Sequence, residues 1–138
     1  MITSPQSISV GRDGVGYDAT VSWRYEDRLR VVAIDSPAFE PVEARANDAF
    51  EALCFVRDRL EPDGWRIGVV GAQADVWPSG MARDQGGGLR TYRMTGEGVG
   101  AVVDTFAPVD PATVTTVAEQ RAEADRLYEE IRRRGGDT

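Results

Sequence analysis

Chemistry on this chain has few residue types to draw on. All sixteen basic residues are arginine, lysine and histidine are absent, and Cys54 is the single cysteine. Without histidine there can be no Ser-His-Asp triad, histidine general base or histidine metal ligand, and without lysine no Schiff base or P-loop cation. Carboxylates, tyrosines, hydroxyls and one thiol remain. The stretch to weigh for such chemistry is the one where Asp75, Ser79, Arg83, Asp84, Arg90 and Tyr92 surround Gly86, Gly87 and Gly88. Ser79 lacks both a G-x-S-x-G elbow and a histidine base, so it reads as a turn serine rather than a nucleophile. The three glycines could turn backbone amides toward an anion, with Arg83 and Arg90 supplying charge, yet neither a lysine nor a helix pattern follows them. Asp75, Asp84 and Asp104 lack the oxygen-rich periodicity of a calcium loop. No catalytic residue, metal site or cofactor is expected; the alternative is an enzyme or small-ligand binder that uses Arg83, Asp84 and Tyr92 around a glycine-lined pocket.

The same stretch has the marks of a shaped binding loop. Pro78 biases Trp77 toward extended backbone, Gly80 permits a turn after Ser79, and Gly86, Gly87 and Gly88 allow conformations that side chains forbid. Loops this long inside a compact chain are usually functional or disordered, and an embedded Trp, Met and Arg-Asp pair argues against disorder. Trp and Arg are enriched among interface hot spots, so Trp77, Met81, Arg83, Asp84 and Arg90 are the candidate partner-binding residues.

The composition narrows the partner. A formal charge of -7 opposes a phosphate backbone, so nucleic acid is not an expected ligand, whereas a basic protein could be steered to the acidic surface. No apolar run approaches the roughly 20 residues of a membrane helix, and Met1 to Gln6 lacks the basic start and apolar core of a secretory signal. A cytoplasmic protein with no membrane contact is expected. At 138 residues the chain can bury a core without disulfide or metal, as one domain over 1–138 with frayed ends at 1–6 and 135–138. Cys54 reads as a buried, inert thiol.

The elements that must position the loop read as follows. Ser7 to Val10 alternates as a short strand and Gly11 to Gly16 supplies a turn. Ala19, Val21, Trp23 and Tyr25 alternate with polar residues in a half-buried strand, and Leu29 to Asp35 returns as a more central one. Pro41 is expected in the first turn of a helix whose apolar stripe is Ala46, Ala49, Phe50, Leu53, Val56 and Leu60, with Phe55 off the stripe but buried. Trp65 to Gly71 is a short apolar strand that runs into the loop, and Leu89 to Thr95 and Ala101 to Phe106 form a hairpin after it. Asp110-Pro111 and the capping box Thr116 to Glu119 are two competing starts for a terminal helix. The layout is α+β: a single mainly antiparallel sheet with two main helices packed on one face.

One resemblance adds to this. Trp77-Pro78-Ser79-Gly80-Met81, Arg83-Asp84, Gly86-Gly87-Gly88 and Tyr92, followed by Asp104-Thr105-Phe106 and Val117-Ala118-Glu119-Gln120-Arg121, resembles small bacterial proteins encoded beside polymorphic toxins and regarded as immunity proteins. The match covers roughly Gly64 to Arg121 and carries no catalytic residue over. It implies a non-enzymatic protein-binding module that neutralises a cognate bacterial toxin by direct binding, as a monomer or weak homodimer. A structural or oligomerisation domain is the third reading, which a shared apolar patch would favour.

Overall fold

A computed structural model describes residues 2–78 and 87–136. Four strands open the chain as an antiparallel meander: β1 (Gln6–Arg12), β2 (Val15–Glu26), β3 (Leu29–Ser36) and β4 (Phe39–Ala46). A short β5 (Arg66–Ile67) joins the free side of β1, giving a five-stranded sheet in the order β4-β3-β2-β1-β5. Asp13 and Gly14 make the first tight turn with φ of 54° and 77°, and Asp27 and Arg28 make the second, also at positive φ. Along β2 burial alternates only around Ala19 and Val21, which are buried, and Tyr25 is exposed beneath the Arg30 guanidinium. Trp23 is half-buried and stacks on Phe106 at 4.5 Å.

The stretch expected to begin the first helix is instead strand. β4 contains Pro41, which cannot donate a ladder hydrogen bond but is tolerated on an edge strand, beside a register irregularity between Ile34 and Ser36. Ala46 therefore belongs to β4, and helix α1 (Ala49–Leu60) starts later, where the Asp48 carboxylate accepts from Glu51 N at 2.8 Å. Leu53, Val56 and Leu60 go into the core with Ala49 and Ala52, while Phe50 and Cys54 turn to a second cluster with Val117 and Trp77. Phe55, expected to be buried, is 42% exposed: it follows Cys54 by one residue, and neither cluster reaches that side of the helix.

The second half corrects the single-sheet expectation. After 3-10 turns at Glu61–Asp63 and Val70–Ala72, β6 (Val76–Trp77) pairs with β7 (Arg90–Thr95), which pairs with β8 (Gly98–Asp104) in a separate three-stranded sheet, β6-β7-β8. Each sheet has its own helix. α1 lies across β3 and β4, and α2 (Val117–Gly136) packs against all three strands of the small sheet and touches α1. Of the two candidate helix starts, Thr116 is the one used for α2, its hydroxyl accepting from Glu119 N at 3.1 Å; Asp110 caps only a 3-10 turn, Pro111–Thr113. Within the stretches expected to fray, Ile2 packs against the core, the Ser4 hydroxyl accepts from Trp23 N, and α2 runs on to Gly136.

Candidate functional site

The loop is held at both feet. On the incoming side, Trp77 pairs across the ladder with Tyr92, sets its ring edge-on to Phe50 at 5.2 Å, and leads into a buried Pro78. On the outgoing side, Gly87 and Gly88 are buried at φ of 62° and 79°. The Gly87 carbonyl accepts from Ala49 N at 2.6 Å, and the Gly88 carbonyl accepts from the Thr105 hydroxyl at 2.6 Å. A Cβ on Gly88 would stand 2.6 Å from Phe50 N, and one on Gly87 would stand 2.6 Å from the Arg30 guanidinium. At Gly88, where the obstacle is backbone, only glycine satisfies both the left-handed conformation and this close approach; at Gly87 the left-handed conformation is what favours glycine, since the Arg30 side chain can move aside.

This arrangement explains what the glycines do. The first amides of a helix lack partners within it and attract negative groups. Here a peptide carbonyl from the loop takes one of them, Ala49 N, and the Asp48 carboxylate takes another, Glu51 N. The amino end of α1 thus anchors the loop.

Of the other residues singled out from sequence, Arg90 stands with its side chain 60% exposed and 3.8 Å from Asp104, on the same face of β7 as half-buried Tyr92. Asp75 pairs with Arg93 at 3.0 Å, so both described carboxylates weighed for a cation are arginine-bound instead. Met81, Arg83, Asp84, Ser79, Gly80 and Gly86 lie outside the described residues. Cys54 is buried beside Phe50.

Behind the loop's incoming foot lies a polar network that the sequence reading missed. Arg57, fully buried, donates to Glu61 at 3.1 Å, to the Gln120 side-chain carbonyl at 2.6 Å and to the Thr115 carbonyl at 2.7 Å. Gln120, also fully buried, donates through Nε2 toward the carbonyls of Gly71, Gln73 and Val76. Glu61 closes the circuit by accepting from Val117 N at 2.9 Å. One guanidinium and one amide thereby fix β6 and the start of α2 to α1. The signal was available: Arg57 sits between Leu53 and Leu60 on the apolar stripe, with an acid four residues on.

The turn at Gly11 to Gly16 also forms one wall of a second concavity. A groove of about 280 Å³ opens between the β1–β2 turn and the Pro111–Thr113 segment, lined by Arg12, Asp13, Arg66 and Asp110 among others. Arg12 stacks over the Trp65 ring at 4.3 Å, and two carboxylates balance the two guanidiniums. The groove and the Arg30 contact to Gly87 lie at opposite ends of β2, about 35 Å of strand apart at the usual rise per residue.

Clearly displaced protonation equilibria sit on surface ion pairs. Hydrogen bonds from Arg24 and then Arg45 hold Glu26 below its ordinary value, and a hydrogen bond from Arg126 does the same for Glu123. No helix among the described residues is long and apolar enough to cross a membrane. No protein-family model matches the chain, and no curated protein is significantly similar to it.

Proposed function

We propose that this chain is a non-catalytic protein-binding module of the immunity type, neutralising a cognate bacterial toxin by direct binding through the 77–90 loop. The observation that supports the reading most is the anchoring of that loop. Both feet are buried, one by aromatic packing and ladder pairing, the other by hydrogen bonds from α1 and Thr105. Rigid feet reduce the ordering cost when the residues between them meet a partner. Trp77 serves as the anchor, Arg90 stands beside it as an exposed cation, and Met81, Arg83 and Asp84 are the proposed contacts. The acidic charge suits a basic partner.

The test is binding of the purified protein to the product of the gene adjacent to its own, by calorimetry, together with rescue of growth in cells that express that product. Alanine at Arg83 or Arg90 is expected to weaken the complex by about 2 kcal/mol at the better position while moving stability by less than about 0.5 kcal/mol. Absence of binding, or binding that both alanine variants leave intact, overturns the proposal.

A further inference from the structure

A cross-strand row that lacks side chains leaves a floor on which a ligand can lie, and the large sheet has one at the end of β1. Arg66 on β5 pairs with Gly11 on β1, which pairs with Gly16 on β2, and residues paired in this way face the same side of a sheet. Pro111 packs against Gly11, where a Cβ would stand 2.9 Å from the proline Cβ, whereas a Cβ on Gly16 would meet open space. The groove of about 280 Å³ is the room that these two glycines leave between Arg66 and the 110–112 segment.

Its charged groups are held in place but not paired. Trp65 positions both guanidiniums: Arg12 lies over its ring at 4.3 Å, and Arg66 donates to its carbonyl at 3.1 Å. Asp110 is fixed through one oxygen, which accepts from Ala112 N at 2.9 Å, and Asp13 sits in the turn itself at φ of 54°. Elsewhere on the surface, arginines such as Arg24, Arg93 and Arg126 pair with carboxylates. Among the described residues, none of the four charged groups in this groove takes part in an ion pair.

We propose that the groove binds a small zwitterion, a free α-amino acid with an aliphatic side chain. Charge selects this class. A plain anion would meet Asp13 and Asp110, and a plain cation would meet Arg12 and Arg66, whereas a carboxylate and an ammonium on one carbon match both signs and add no net charge to a chain already at -7. Arg66 is the donor to the carboxylate, and Asp110 receives the ammonium on its second oxygen. Val15, Pro111 and Ala112 offer the aliphatic part an apolar wall. Small-molecule pockets start at roughly 300 Å³, so this volume suits a single amino acid better than a peptide or a nucleotide. The groove lies at the far end of β2 from the 77–90 loop, and the inference stands whether or not that loop binds a toxin.

Titration with L-leucine into the millimolar range, followed by amide chemical shifts, tests it. The amides of Gly11, Gly14, Gly16 and Gly64 should move together and saturate. Isocaproate, which lacks the ammonium, and isoamylamine, which lacks the carboxylate, should each bind about tenfold more weakly. Asp110→Asn keeps a capping oxygen but loses the charge, so it should weaken leucine and leave isocaproate no worse. Gly16→Val fills the floor where there is free space, so it should abolish leucine binding without lowering the melting temperature. Leucine that leaves these amides unmoved overturns the inference. So does equal binding of either singly charged analogue, which would make the groove a plain ion site, or a leucine affinity that Gly16→Val leaves intact.

Discussion

Arg57 is a buried charge, and its removal has a calculable consequence. A fully buried guanidinium is tolerated because a carboxylate, an amide oxygen and a backbone carbonyl receive it. Removing one member of such a pair leaves the other charged and uncompensated, which typically costs about 3 to 5 kcal/mol. Arg57→Met, which keeps most of the volume, should show a loss of that size in urea unfolding. Adding Glu61→Gln removes the stranded charge but keeps an acceptor for Val117 N, so the double variant should recover part of the loss. Equal stability of the single and double variants would mean that the stranded carboxylate is solvated and that the network matters only through its hydrogen bonds.

Glycine position decides how the loop meets α1, and two glycines at nearly the same φ separate conformation from contact. Gly14 at 77° has open space where a Cβ would go, whereas Gly88 at 79° has Phe50 N and Ala49 N within 2.8 Å of that point. Gly14→Ala should therefore cost only the left-handed backbone penalty, about 1 kcal/mol. Gly88→Ala should cost that plus overpacking, about 3 kcal/mol in all, and should loosen the hydrogen bond from Ala49 N to the Gly87 carbonyl. Denaturant melts give the energies, and amide exchange at Ala49 reports the hydrogen bond. If the two variants lose the same stability, the close approach at α1 is not tight.

Across the chain as a body, the acidic balance is tempered by surface ion-pair clusters, one of which joins Arg24, Glu26, Glu43 and Arg45 on the large sheet. Glu26 titrates below its ordinary value in the folded protein, first because of Arg24 and then Arg45. A depressed folded value means that the carboxylate contributes stability above the ordinary carboxylate range and loses it as pH falls through the folded value. Between the two values stability rises with pH. Glu26→Gln should flatten that acid limb, and added salt should flatten it in the wild type, because the cluster is solvent-exposed. Melting temperature against pH at low and high salt checks both. An acid limb unchanged by the substitution would assign it to other carboxylates.

Residue types alone settled much of the chemistry: with no histidine and no lysine, whole classes of catalysis are closed to this chain in any fold. Local pattern was equally direct where an element's neighbours are close in sequence. The β1–β2–β3 meander, the β7–β8 hairpin and the Thr116 capping box are short-range arrangements, and alternation or capping chemistry declares them. The failures have a common cause in tertiary context. Pro41 looks like a helix start until β4 is seen to be an edge strand, where a missing N–H is harmless. Phe55 looks like core until the two clusters on α1 leave its side of the helix open. The split into two sheets depends on β6 taking one side of β7, a pairing of two residues that no periodicity announces. What the glycines at 87 and 88 touch is invisible in the sequence: α1 begins almost forty positions earlier, and folding alone brings its amides to the Gly87 carbonyl.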